Sequence, residues 1–259
     1  LLIMRGLHLS GGAADNGGAI RSAGMLLLSE VEISASTASQ NGGAIYTEGS
    51  ISLDKVTLRS NAAQMGGAIY GAENAVITII AASIYGNTAP SGGGVYARSM
   101  TISDSTFSGN NATSGGGAWI EGEALIVNST FAGNYAVSGS GVYFPPGARG
   151  QTSMRSVTIA GNTGGAALES TSSGAVIVLA NTLLAQNPGG NCLALTLLST
   201  GSNLSSDQTC GSLASPGDLQ GVNPQIDLLA DNGGAVLTVA LLPGSPAIDA
   251  GGVSLLPVD

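Results

Sequence analysis

A short phrase returns every 23 to 26 residues along this chain. It reads Asn16-Gly17-Gly18-Ala19-Ile20, then Asn41-Gly42-Gly43-Ala44-Ile45-Tyr46, then Gly66-Gly67-Ala68-Ile69-Tyr70. It continues as Gly92-Gly93-Gly94-Val95-Tyr96, Gly115-Gly116-Gly117-Ala118-Trp119, Gly139-Ser140-Gly141-Val142-Tyr143 and Gly164-Gly165-Ala166-Ala167-Leu168. Gly189-Gly190 stands where an eighth copy would begin. The first glycines lie 25, 24, 26, 23, 24, 25 and 25 residues apart. A repeat of this length means one structural unit stacked many times, each too small to bury its apolar face alone.

Two further markers keep step. An apolar residue stands three places before an Asn at Leu58/Asn61, Ile84/Asn87, Phe107/Asn110, Phe131/Asn134, Ile159/Asn162 and Leu184/Asn187. Leu9 and Ile33 keep the apolar slot, with Gly12 and Ser36 in place of the Asn. Eight and ten places before the Asn slot lie the pairs Leu26/Leu28, Ile51/Leu53, Ile77/Ile79, Met100/Ile102, Ala124/Ile126 and Ile177/Leu179, with Thr152/Met154 a weaker copy. Each repeat thus holds three short stretches alternating with period two, the mark of strands with one buried face. Gly, Asn and Ser separate them and tolerate sharp bends. Stacked, such units give three parallel sheets around a narrow core: an all-β, right-handed parallel β-helix of about eight three-strand coils. At about 4.8 Å per coil the rod is about 38 Å long. The column Asn61, Asn87, Asn110, Asn134, Asn162 and Asn187 reads as a ladder of amides bonded from coil to coil. The glycines lack the strand-to-helix junction and Lys that phosphate cradles use.

Composition narrows the partners. Of 259 residues, 7 are Lys or Arg and 16 are Asp or Glu, a net charge of −9. Lys55 is the sole Lys. Such a surface argues against nucleic acid and against anionic membranes, and no stretch is long and apolar enough to span a bilayer. The polar surface must come from Ser, Thr, Asn and Gly. Cys192 and Cys210 both lie beyond the regular repeats. As a disulfide they point to an oxidising, extracytoplasmic setting; the alternative is two buried thiols. No signal peptide is visible.

After about residue 190 the glycine spacing stops and the chain becomes loop-rich, so residues 1–190 read as the repeats and 191–259 as a C-terminal cap packed on them. The Gly-Gly-Ala-Ile phrase paired with Phe107-to-Asn110 and Phe131-to-Asn134 resembles the repeat of the polymorphic outer membrane protein family. The run from Asn223-Pro224 through Asp231-Asn232-Gly233-Gly234 to Ser245-Pro246-Ala247-Ile248-Asp249 resembles bacterial choice-of-anchor Q proteins. The resemblance implies a right-handed parallel β-helix that is secreted or tethered at the cell surface. Where that family leads one to expect Thr-His-Ala-Leu, this chain has Thr238-Val239-Ala240-Leu241, so any role of that His is absent.

Carbohydrate-cleaving β-helices need acidic and basic residues converging on one face. Asp54 and Asp104 are the acidic residues nearest to register, but an intervening coil separates them. Glu121 and Glu123 share a coil, with Arg98 in the neighbouring one, and read as a solvated loop pair. The lone histidine, His8, reads as a surface residue without evident partners, and no metal-ligand cluster or nucleophile triad is visible. Neither a cofactor nor a metal is expected. Asp15-Asn16-Gly17 and Asp231-Asn232-Gly233 read as turns.

The residue after each Gly-Gly-x-Ile core forms its own column: Arg21, Tyr46, Tyr70, Tyr96, Trp119, Tyr143, Leu168. The five aromatics take four of six Tyr and the only Trp. Facing outward, they form a stripe with three readings: a stacked ladder that stabilises the sheet, a self-association or partner surface, or a platform for sugar rings. A second outward column, Thr57, Ser83, Thr106, Thr130 and Thr158, offers one hydroxyl per coil. The function expected is a non-catalytic extracellular structural or adhesive protein. It would associate end to end through its uncapped first coil or bind a cell-surface glycan. The alternatives are a polysaccharide lyase or glycoside hydrolase, or a glycan-binding module using the stripe.

Overall fold

Each coil bends at residues whose φ is positive. One corner uses Lys55, Ala81, Asp104, Asn128 and Ser156, with φ of 45–53°. A second falls on the residue before each ladder Asn, including Ser60, Gly86, Gly109 and Gly133, and a third on the first glycine of the repeating phrase, such as Gly66 at 65°. Between these corners the computed structural model, which describes residues 1–211 and 213–252, places short strands that stack in parallel.

Among the described residues three long sheets form, of nine, ten and eight strands. The first runs from Leu2–Arg5 through Val76–Ile80 and Ala124–Val127 to Thr196–Ser199. The second runs from His8–Ser10 through Thr106–Ser108 to Leu219–Gln220, and the third from Ile20–Ser22 through Ala118–Ile120 to Cys192–Leu193. The expected β-helix is therefore present. Its coils carry an additional short ladder between the Asn corner and the glycines, joining Thr37, Ala62, Thr88 and Asn111 and continuing through Tyr135–Ser138. That stretch has little apolar alternation, yet its backbone stacks because the sheets on either side fix the coil spacing.

The inward slots are those the sequence marks. Leu26, Leu53, Ile79, Ile102 and Ile126 line the first sheet, and Leu58, Ile84, Phe107, Phe131 and Ile159 the second, all buried. Thr152 and Met154 fill the same inward positions despite their weaker pattern. Each buried aliphatic side chain contributes about 1.5–3 kcal/mol. Phe107 and Phe131 stack at 4.7 Å. They fit because the slot filled by Ala44 and Ala68 elsewhere holds Gly94 and Gly117, where a Cβ would meet Phe107 at 3.4 Å and Phe131 at 2.7 Å.

The Asn column forms a continuous ladder. Asn110 Oδ1 accepts from the backbone N–H and the Nδ2 of Asn87, both at 3.0 Å, while its own Nδ2 donates to the Ile84 carbonyl at 2.9 Å and to Asn134 Oδ1 at 3.0 Å. The same pattern links Asn61, Asn87, Asn134, Asn162 and Asn187. Asn191, which the sequence reading passed over, closes it by accepting from Asn187 Nδ2 at 2.8 Å.

Beyond residue 190 the glycine spacing ends but the sheets go on: Cys192–Leu193, Thr196–Ser199 and Leu204–Ser205 each join one of them. Cys192 and Cys210 form the disulfide, and both are buried in the main core. It closes a separation of 18 residues, so a Cys192→Ser/Cys210→Ser variant is expected to lose about 3 kcal/mol. Urea unfolding with and without a reductant measures this; equal midpoints for variant and parent would refute it.

The chain then returns along the outer face of the second sheet. Ile226–Ala230 and Thr238–Leu241 pair antiparallel, Ile226 and Val239 pack on Ala160, Leu183 and Ala185, and Thr106 Oγ1 donates to the Leu237 carbonyl. Thr106 and Thr130, two of the five in the hydroxyl column, are thereby buried. Residue 212 and residues 253–259 of the expected cap lie outside the described residues.

Candidate binding site

Pairing along the third sheet puts Tyr46, Tyr70, Tyr96, Trp119 and Tyr143 in one column, as the repeats imply. Its next member is Glu169, not Leu168: Leu168 pairs with Val142 and points inward, and Tyr143 pairs with Glu169. The reason is a shortened coil. Eight residues separate Asn134 from Val142 but six separate Asn162 from Leu168, so Gly164 falls beside Ala136 rather than in the phrase slot.

The rings stack on one another. Centroids lie 5.5 Å apart for Tyr46–Tyr70, 5.1 Å for Tyr70–Tyr96 and 5.3 Å for Tyr96–Trp119, with planes within 7–23°. Trp119 and Tyr143 meet at 4.9 Å with a 57° tilt, and the Arg21 guanidinium sits 5.5 Å from the Tyr46 ring. Both faces of Tyr46, Tyr70, Tyr96 and Trp119 are therefore engaged, and solvent meets ring edges and hydroxyls. From Tyr46 to Trp119 a sugar ring has no free face to lie on.

Burial raises the phenol pKa values of Tyr46, Tyr70 and Tyr96; for Tyr96 the hydrogen bond to Glu121 adds to it, and for Tyr46 the charge of Glu48. A raised phenol pKa favours the neutral folded form. Its stabilisation is complete below the unfolded value of 10.0 and is lost as pH rises through the folded value. Stability is expected to hold to about pH 9 and fall above 10. Phenolate absorbance, titrated with and without urea, checks this; coincident curves would count against it.

The corner between the third and first sheets is uneven. Five residues separate Tyr46 from Ile51, seven separate Tyr70 from Ile77, four separate Tyr96 from Met100, five separate Trp119 from Ala124 and nine separate Tyr143 from Thr152. The two tight corners, Arg98-Ser99 and Glu121-Gly122-Glu123, form a floor. The Pro145-Pro146-Gly147 loop stands on one side, and on the other Glu73, from the longer Ala72-Glu73-Asn74 turn, bonds Arg98. The result is a cleft of about 540 Å³ lined by Arg98, Glu121, Glu123, Pro145 and Arg149 among others.

Glu121 is fixed from below. Its Oε1 accepts from the Tyr96 hydroxyl and from Trp119 Nε1 at 3.4 Å. The side chain of Glu123 lies against Gly150, where a Cβ would meet its Cγ at 2.6 Å. Arg98 donates to Glu73 at 3.0 Å. The expected solvated pair, Glu121 and Glu123, is thus gathered with Arg98 into one concave site. Arg149 and the Pro-Pro-Gly loop were missed; the longer Tyr143-to-Thr152 spacing was their only signal.

Other candidates stay apart. Asp104 accepts from Asn128 at 2.7 Å and Asp54 from Ser29 at 3.4 Å on the first-corner side. His8 does have partners, Ser34 at 3.1 Å and Glu32 at 3.6 Å. Among the described residues no three His, Cys, Asp or Glu side chains gather as a metal site, and no helix is long and apolar enough to cross a membrane.

Neither the curated proteins nor the solved structures give a match to this sequence. A family model described as a right-handed beta helix region matches residues 19–183, a family that includes both polysaccharide-cleaving enzymes and proteins without catalytic activity. The match covers most of the coils built above, and the chain belongs to the right-handed β-helix family.

Proposed function

We propose that the chain is a non-catalytic, secreted or surface-displayed adhesive rod that binds glycan at the corner cleft. One observation carries this: Glu121, held by Tyr96 and Trp119, shares a concave site with Glu123, Arg98 and Arg149. A carboxylate held in place and flanked by guanidinium groups matches the hydroxyl pairs of a sugar, since the acceptor at Glu121 does not have to be ordered on binding. The disulfide and the fold are compatible with an extracellular location. A glycan array probed with the full chain tests the proposal. Retention that is lost in Glu121→Gln supports it, and no retention on any glycan removes it.

The same convergence of two carboxylates and two arginines favours a second reading, cleavage of a glycan. New reducing ends or unsaturated products after incubation with the array's polysaccharides would replace the adhesive reading. End-to-end association is read from sedimentation velocity: growth with concentration supports it, and a monodisperse monomer removes it.

A further inference from the structure

The cleft does not end at the corner. A trough of about 560 Å³ lies beside it on the outer face of the first sheet, lined by Val76, Thr101, Leu125, Gln151 and Ser153. Ser99 and Glu123 line both spaces. The combined surface spans the strands Val76–Ile80, Met100–Ser103, Ala124–Val127 and Gly150–Arg155, three coil steps or about 14 Å. The Pro145-to-Gly150 loop walls one end.

We infer that cleft and trough form one groove for a linear, uncharged glycan, a refinement that rests on the glycan-binding reading above. The chemistry of the groove selects against other occupants. An extended peptide needs a free strand edge or deep apolar pockets, but the strands here are paired on both sides along the axis. An acidic glycan would meet Glu121 and Glu123 with Arg98 already bonded to Glu73 and Arg149 alone to offset them, on a chain of net charge −9, and like charges brought together are disfavoured. A neutral sugar chain meets what it can use: carboxylates and Arg149 for its hydroxyls in the cleft, then Thr101, Gln151 and Ser153 interleaved with the exposed aliphatic surfaces of Val76 and Leu125. Those surfaces, 59% and 40% exposed, suit the C–H face of a pyranose. Trp119 bonds to the cleft carboxylate and is the only Trp in the chain, so its emission reports occupancy.

The test uses the full chain with linear β-1,4 glucan, mannan and xylan oligomers from disaccharide to hexasaccharide, and oligogalacturonates of equal length. Calorimetry and Trp119 emission are read together. At least one neutral series is expected to bind, tightening about tenfold from disaccharide to tetrasaccharide and then levelling as the groove fills. Leu125→Lys, at an exposed position of the trough, should return tetrasaccharide binding to the disaccharide level. Glu121→Gln should weaken every length. Binding of oligogalacturonate alone, or of neutral oligomers without length dependence, overturns the groove while leaving the glycan-binding reading standing. No binding in any series, joined to an empty array, sinks both.

Discussion

Gly67→Ala is expected to cost more than the roughly 3 kcal/mol at which overpacking usually stops, and to prevent the coils on either side from closing. A Cβ at Gly67 would lie 2.2 Å from the Gly93 carbonyl oxygen, 2.7 Å from Thr88 N and 2.9 Å from Thr88 C. All three are backbone atoms, so no rotamer can move aside. The backbone cannot yield either: Gly67 N bonds to the Gly92 carbonyl at 2.9 Å and Ala68 N to that of Gly94 at 2.9 Å, and the sheets on both flanks hold the same spacing. The second glycine of the phrase is therefore a contact between successive coils. Gly24→Ala is the control. Its Cβ meets nothing within 4 Å and its φ is not positive, so its effect should stay within about 0.5 kcal/mol. Urea unfolding followed by circular dichroism compares the two, and equal midpoints would show that the coils can separate locally at little cost.

Asn110→Ala is the second large effect, expected at about 4 kcal/mol. Asn110 is fully buried at the middle of the ladder. Truncation strands the backbone N–H of Asn87, whose bond at 3.0 Å runs to Asn110 Oδ1, and removes the donors to Ile84 and Asn134. A buried donor left without a partner costs about 1–3 kcal/mol by itself, and the vacated amide adds a void beside Phe107. Asn110→Asp separates the parts. Its carboxylate still accepts from Asn87 but cannot donate to Ile84 or Asn134, and it buries a charge. That variant should become more stable as pH falls and the acid is neutralised. A negligible, pH-independent loss in Asn110→Asp would argue that the donor bonds to Ile84 and Asn134 contribute nothing beyond volume.

How much of this was legible in the sequence varied from feature to feature for physical reasons. The inward columns were readable because a strand alternates with period two and stacking repeats the same slot in each coil. The glycine-marked corners showed for a similar reason, since only a few residue types favour positive φ. The corner at Lys55, Ala81, Asp104, Asn128 and Ser156 bends just as sharply, but its residue type changes from coil to coil and Lys55 and Ala81 carry no turn signature, so no column marked it. The place of Leu168 was misread because the phrase looked intact while two residues were missing upstream of it.

The candidate site was least legible. Glu121 and Glu123 looked like an ordinary solvated pair, since neither residue type nor spacing within one coil says how high the neighbouring corners rise. That height is a comparison between coils, set by nine residues after Tyr143 against four after Tyr96. Ring orientation was equally hidden: an aromatic column predicts a stripe, but whether faces or edges meet solvent depends on side-chain torsions fixed by packing against the next coil. The sequence by itself determined the period, the buried columns and the amide ladder, because each is a local pattern repeated at the coil spacing. Only the tertiary structure decided that the ring faces from Tyr46 to Trp119 are closed, that Thr106 and Thr130 of the hydroxyl column are buried, and that a cleft opens beside Glu121, because each follows from how neighbouring coils and a distant segment fit together.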